Sequence, residues 1–169
     1  MQNIFARLLV AVVGIATSFS VVAGTLANAP FKISLPNDGW KLTDSAAQDM
    51  GHNVFLVASI TKTNSPLKSV IIKTTIDGPL ASALDDLSAG IRDSFANPAL
   101  KKLSDEDATF LGHKARRFAY EATQGNQTTY NEAVVFVVGN IGWTIAGFGL
   151  ADQKSEVEKI FTFYQKSDH

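Results

Sequence analysis

From Ala133 to Ala151 the chain carries no charged residue, and this stretch narrows its folding options to two. Nineteen uncharged, largely apolar residues approach the roughly 20 that a helix needs to cross a bilayer. Glycines at 139, 142, 147 and 149 interrupt the run, however, and Gly139-Asn140 near its centre is turn chemistry. A turn at that depth would leave backbone amides without partners in hydrocarbon. The segment therefore reads as two buried strands, Tyr130–Val138 and Trp143–Phe148, folded back on each other around Gly139-Asn140-Ile141-Gly142.

The rest of the chain supplies elements that pair with such a hairpin. Phe31, Ile33 and Leu35 alternate with Lys32 and Ser34 until Pro36 ends the strand. Asn37-Asp38-Gly39 is a turn, Trp40 a core anchor, and residues 41–50 read as a polar loop. Asn53 to Thr61 is apolar on both faces, as a central strand is. Thr63-Asn64-Ser65-Pro66 turns the chain into a further strand, Val70 to Ile76, which Asp77-Gly78-Pro79 breaks.

Leu80, Leu84, Leu87, Ile91 and Phe95 then recur at helical spacing, and Asn97-Pro98 stops that helix. After a solvated acidic loop at Ser104-Asp105-Glu106-Asp107, Ala108–Leu111 and Ala115–Ala122 form a strand pair turned at Gly112-His113. Gly125-Asn126 marks the next turn. A closing helix takes Ser155 as cap and Glu158 as its partner, with Val157, Ile160, Phe161 and Tyr164 as the buried face. Strands joined by short turns pair antiparallel, and amphipathic helices need sheet faces to cover. The expected fold class is α+β: a central antiparallel sheet of six or seven strands flanked by helices.

Residues 1–29 read as a signal peptide, and residues 30–169 as a single domain. Arg7 closes a short positive region, Leu8 to Gly24 is uncharged and mostly apolar, and Ala27-Asn28-Ala29 supplies a small-x-small cleavage pattern. Pro30 directly after that pattern is awkward for a signal peptidase, so cuts after Ala27 or Ala23 stay open. The alternative, an uncleaved anchor, is weakened by Gly14 and the hydroxyl residues Thr17, Ser18 and Ser20. On either reading the domain is exported.

Arg7 is the only charge of the first 29 residues, so the remaining 140 carry 14 basic and 16 acidic side chains. A domain of that size buries roughly two-thirds of the surface its unfolded chain exposes. It has no cationic field with which to gain from counterion release, so nucleic acid is not its partner. There is no cysteine. That removes thiol nucleophiles, Cys-based zinc sites and the lipidated cysteine of a bacterial lipoprotein.

Candidate chemistry is sparse. His52, His113 and His169 share no metal-ligand spacing. The least weak metal corner is His52 with Asp49 and Asp44. No serine stands in a nucleophile elbow. Gly147-Phe148-Gly149 lacks the third glycine of a dinucleotide loop, Asp152 standing in its place, so both glycines are assigned to strand–helix packing. The acid run at 104–107 lacks the ligand alternation of a calcium loop. Lys101-Lys102 and Arg116-Arg117 are the basic pairs, and the latter alternates across a strand without forming a patch. Asn126-Gln127-Thr128 is a glycosylation sequon at a hairpin tip. Trp40, Phe118, Tyr130 and Trp143 are either core or the walls of a small-ligand pocket, with core favoured. No catalytic or metal site and no cofactor is assigned.

Phe31-Lys32-Ile33-Ser34-Leu35-Pro36 followed by Gly39-Trp40 is similar to the start of PsbP-like domains. So are the helix after the third strand, the Leu111-Gly112-His113-Lys114-Ala115 turn, the Phe118-Ala119-Tyr120 strand and the final helix with Phe161 and Tyr164. The resemblance extends to DcrB-like envelope proteins and a Ran-binding transport factor. It implies an α/β/α sandwich and a non-enzymatic binding or assembly role, without site residues to carry over. The expectation is thus a periplasmic or secreted protein, not an enzyme, whose partner is another envelope protein. Once the leader is removed, stable membrane insertion is not expected. The alternatives are binding of a small ligand and, third, a hydrolase without a recognisable motif.

Overall fold

The computed structural model describes residue 26 and residues 28–167, apart from the side chains of 44–46. Along the chain run β1 (Phe31–Ile33), β2 (Trp40–Asp49), β3 (Val54–Lys62), β4 (Lys68–Thr75), α1 (Ala83–Ser94), β5 (Leu100–Phe110) and β6 (His113–Gln124). Then follow β7 (Gln127–Val138), β8 (Ile141–Leu150), α2 (Lys154–Ile160) and β9 (Tyr164–Lys166). Seven strands form one sheet in the order β2-β3-β4-β8-β7-β6-β5. All its neighbours are antiparallel. The sheet expected from the sequence is present, with a helix on each side.

The uncharged stretch is the centre of that sheet. β7 and β8 pair from Thr129 with Leu150 to Val138 with Ile141. Gly139, at φ 60°, begins the two-residue turn between them, a backbone that L side chains adopt only under strain. Gly125, at φ 59°, does the same between β6 and β7.

Side-chain alternation distributes the core over two faces. On one, Leu87 and Ile91 of α1 pack on Phe118 and Val135. On the other, the neighbouring positions Ala119, Tyr130 and Gly147 lie under α2. β1 and β9 pair antiparallel as a separate ribbon. The ribbon shares the α2 face: the Phe31 ring lies 6.4 Å from Phe136, 5.3 Å from Trp143 and 5.5 Å from Tyr164.

Four expectations need correction. Residues 41–50 are, apart from Met50, part of strand β2 and not a loop, and the acid run at 104–107 lies inside β5 rather than in a solvated loop. Both are the edge strands of the sheet, so each pairs on one side only and turns polar side chains to water, which removes the apolar run that marks a strand. Ser155 is not the cap of α2: the helix starts at Lys154 after Gln153, whose side chain accepts the Leu150 N–H at 3.0 Å. The chain also does not close on that helix. Phe161–Phe163 tighten into a 3-10 turn, and Tyr164, expected on the helix, opens β9.

Candidate functional site

Beside α2, a cleft of about 400 Å³ opens over the β5–β6–β7 corner of the sheet. Arg117 on β6 and Tyr130 and Glu132 on β7 form part of its floor, while Glu106 of β5 and Lys154 and Glu158 of α2 also line it. Register explains the meeting on the floor. Glu132 pairs with Ala119, two residues beyond Arg117 on the same face, which makes Arg117 its diagonal neighbour.

Arg117 Nε donates to Glu132 Oε1, and the Tyr130 hydroxyl donates to Glu132 Oε2 at 3.4 Å. The Glu132 side chain is 3% exposed, that of Arg117 37%. Burial pushes the Glu132 carboxyl above the usual carboxylate range, and the guanidinium opposes the rise without cancelling it. Burial, followed by the neighbouring Glu132 charge, also pushes up the Tyr130 hydroxyl. Two cations ride on aromatic rings at the rim: Arg117 lies 5.4 Å from the centre of Phe161, and Lys154 5.5 Å from that of Tyr130. Lys154 Nζ also approaches Glu158 at 3.8 Å. The cleft is thus a polar concavity of mixed charge on a rigid sheet, and its lining includes neither histidine nor cysteine.

No protein-family model matches the sequence, and no curated protein matches it by sequence. The architecture is similar to that of solved structures. The PsbP protein of the cyanobacterium Synechocystis sp. PCC 6803 superposes with a TM-score of 0.59 at 13% identity, over 82% of this chain and 87% of that one. LpqN of Mycobacterium tuberculosis, described as involved in cell envelope biogenesis, gives 0.55 at 15% identity, over 81% of this chain and 83% of its own. The chain has the PsbP-like fold.

Within this PsbP-like sandwich the described residues among those singled out in the sequence do not converge. His52 is exposed at φ 54° in the turn after β2, and Asp49 Oδ1 accepts the Gly51 N–H there at 2.7 Å. The Asp44 side chain and His169 lie outside the described residues. His113 stacks on Phe136, 6.0 Å between ring centres.

The four aromatics proposed as pocket walls are dispersed. Phe118 sits under α1, Trp143 against Phe31 and Trp40 against Phe163, and only Tyr130 lines the cleft. Gly147 and Gly149 do serve strand–helix packing. A Cβ on Gly147 would lie 3.2 Å from Val157, and one on Gly149 2.8 Å from both Val157 and Leu67.

Arg116 and Arg117 face opposite sides, as alternation requires. Arg116 bonds Asp105 and Asp107, while Arg117 enters the cleft. Glu132 was not singled out, although a signal existed. It is the only charged residue between Tyr130 and Asp152, and a lone charge in a buried strand needs a partner.

Proposed function

We propose that this chain is an exported, non-enzymatic binding or assembly protein of the cell envelope, and that the cleft beside α2 is where it contacts its partner. The observation that carries the reading is the lining itself. Glu132 and Arg117 are committed to each other at the floor, while Glu106, Lys154 and Glu158 stand at the rim, with Lys154 and Glu158 well exposed (60% and 45%). A concave surface of interspersed charges selects a partner by complementarity rather than by bulk apolar area. The PsbP-like fold supports the reading by its company, since LpqN, of the same architecture, belongs to cell envelope biogenesis. The leader-like start of the chain, Arg7 followed by the uncharged stretch from Leu8 to Gly24, supports export, and the partner is an envelope protein rather than nucleic acid.

The test is crosslinking pull-down from envelope extract with the unaltered protein and with Lys154→Glu/Glu158→Lys, a swap that keeps net charge and the helical i,i+4 pairing. A partner captured by the first and lost by the second is the expected result. Equal capture by both removes the cleft from the proposal, and repeated empty captures remove the binding role.

One observation favours a second reading. About 400 Å³ falls within the roughly 300–1,000 Å³ of small-molecule sites, so a polar small ligand is the alternative occupant. A thermal-shift screen in which Glu106→Ala abolishes a ligand's effect would select it.

A further inference from the structure

We infer that the leader is cut after Ala23, so that the mature protein begins at Gly24 and keeps Leu26 as part of its core. The inference rests on the export proposed above and settles a point that the small-x-small pattern leaves open. The Ala27-Asn28-Ala29 motif invites cleavage at or next to Pro30, but the residues around it belong to the folded domain. Leu26 is 7% exposed and Ala29 9% exposed. Both fall in the same apolar cluster as Phe31, Leu42, Ile60, Phe136 and Trp143.

The backbone is tied in as well. The Ala29 N–H donates to the Leu26 carbonyl at 3.0 Å, and the Ser167 N–H donates to the Pro30 carbonyl at 3.2 Å, which joins the start of the domain to its end. A cut after Ala27 strips Leu26 from the core. A cut after Ala29 strips both apolar side chains and requires the peptidase to accept a proline, whose ring locks φ, directly beyond the scissile bond.

Upstream, the sequence offers a better bond. Val21 and Ala23 stand three and one residues before it, both short side chains. Leu8 to Val22 is then an uncharged stretch of 15 residues, at the upper end of the roughly 7–15 of a signal-peptide apolar region. The reaction is amide hydrolysis by a membrane leader peptidase. Water adds across the Ala23–Gly24 bond, the Ala23 carbonyl carbon leaves as a free carboxyl group, and the Gly24 nitrogen takes the hydrogen as a new α-amine.

The full chain is expressed in a bacterial host, the exported fraction is purified, and its N-terminus is sequenced alongside intact mass. A start at Gly24 upholds the inference, and any other start on the exported product overturns it while leaving export standing. Unprocessed chain confined to the cytoplasm overturns the export reading itself. Leu26→Ala gives an independent readout. If Leu26 belongs to the mature domain, the exported product melts roughly 5 °C or more lower. If the cut lies beyond it, the purified product is identical to the parent and melts at the same temperature, which overturns the inference.

Discussion

Removing either partner of the Arg117–Glu132 pair breaks the same contact, yet the two losses differ, because 3% of the Glu132 side chain and 37% of Arg117 reach water. Arg117→Ala strands a carboxylate in the sheet with, among the described residues, the Tyr130 hydroxyl alone to answer it. Breaking a buried pair in this way costs about 3–5 kcal/mol. Glu132→Gln leaves a guanidinium that water already reaches, keeps an amide oxygen as acceptor, and removes a carboxylate whose ionisation the site disfavours. Its cost is about 1 kcal/mol.

pH separates the two variants further. Burial raises the Glu132 carboxyl above its ordinary 4.5, and Arg117 is the largest influence holding it down. Without Arg117 the folded-state value climbs further. The folded variant then binds a proton that the unfolded chain has released, so its stability falls as pH rises through that window and is level below the ordinary value. Urea unfolding followed by the fluorescence of Trp40 and Trp143, at pH 8 and pH 5.5, reads the difference. Arg117→Ala should be the less stable variant by about 2–4 kcal/mol at pH 8, and the gap should narrow at pH 5.5. Equal costs, or a gap that ignores pH, would refute this account of the site.

Three further outcomes follow from the packing. The Tyr120 hydroxyl is fully buried and has no hydrogen-bond partner among the described residues, so Tyr120→Phe should raise stability by about 1 kcal/mol, seen as a higher urea midpoint. Gly149→Ala places a methyl group 2.8 Å from Leu67 and Val157 and should lower stability by about 1–3 kcal/mol, because α2 must move off the sheet to admit it. Asp105, 10% exposed, accepts from Arg92 at 2.7 Å and from Arg116 at 2.5 Å, which ties α1 to β5 and β6. Asp105→Asn should cost about 1–2 kcal/mol at pH 7. Although burial pushes the Asp105 carboxyl up, the hydrogen bonds from Arg92 and Arg116 hold it below its ordinary 3.8. Its contribution is therefore complete above that value and is lost as pH falls further, so the two unfolding curves should converge in acid.

Legibility in the sequence tracked how many neighbours an element has. β7 and β8 are paired on both sides and covered by helices on both faces. Their apolar pattern is dense, and the hairpin followed directly. Helix α1 was readable because Leu87 and Ile91 are buried with Leu84 and Phe95 half-buried beside them, while Asp85, Asp86 and Asp93 are exposed; Leu80, at the head of the same spacing, falls before the helix and is exposed. β2 and β5 each have one neighbour, so half of what makes a strand recognisable is absent from their composition. β9 is three residues long and exists through its pairing with β1, at the other end of the chain. The Arg117–Glu132 contact was hidden for a related reason: it depends on the register of β6 on β7, which local pattern does not specify.

The same two edge strands bear on where a partner can bind. An open edge offers unpaired backbone groups to any extended chain, and proteins guard such edges with bulges and charges. β5 has a register shift between Lys102 and Ser104 and carries Lys101, Lys102, Asp105, Glu106 and Asp107. β2 shifts register between Asp44 and Gln48. Strand addition is therefore opposed at both ends of the seven-stranded sheet. The faces are occupied by α1 on one side and by α2 with the β1–β9 ribbon on the other. Between α2 and the guarded β5 edge, the cleft is a concavity whose charged rim points outward over a floor fixed by three paired strands. A partner that recognises this protein there must match the charges of Glu106, Lys154 and Glu158, because the bulged and charged β5 edge beside them opposes strand addition.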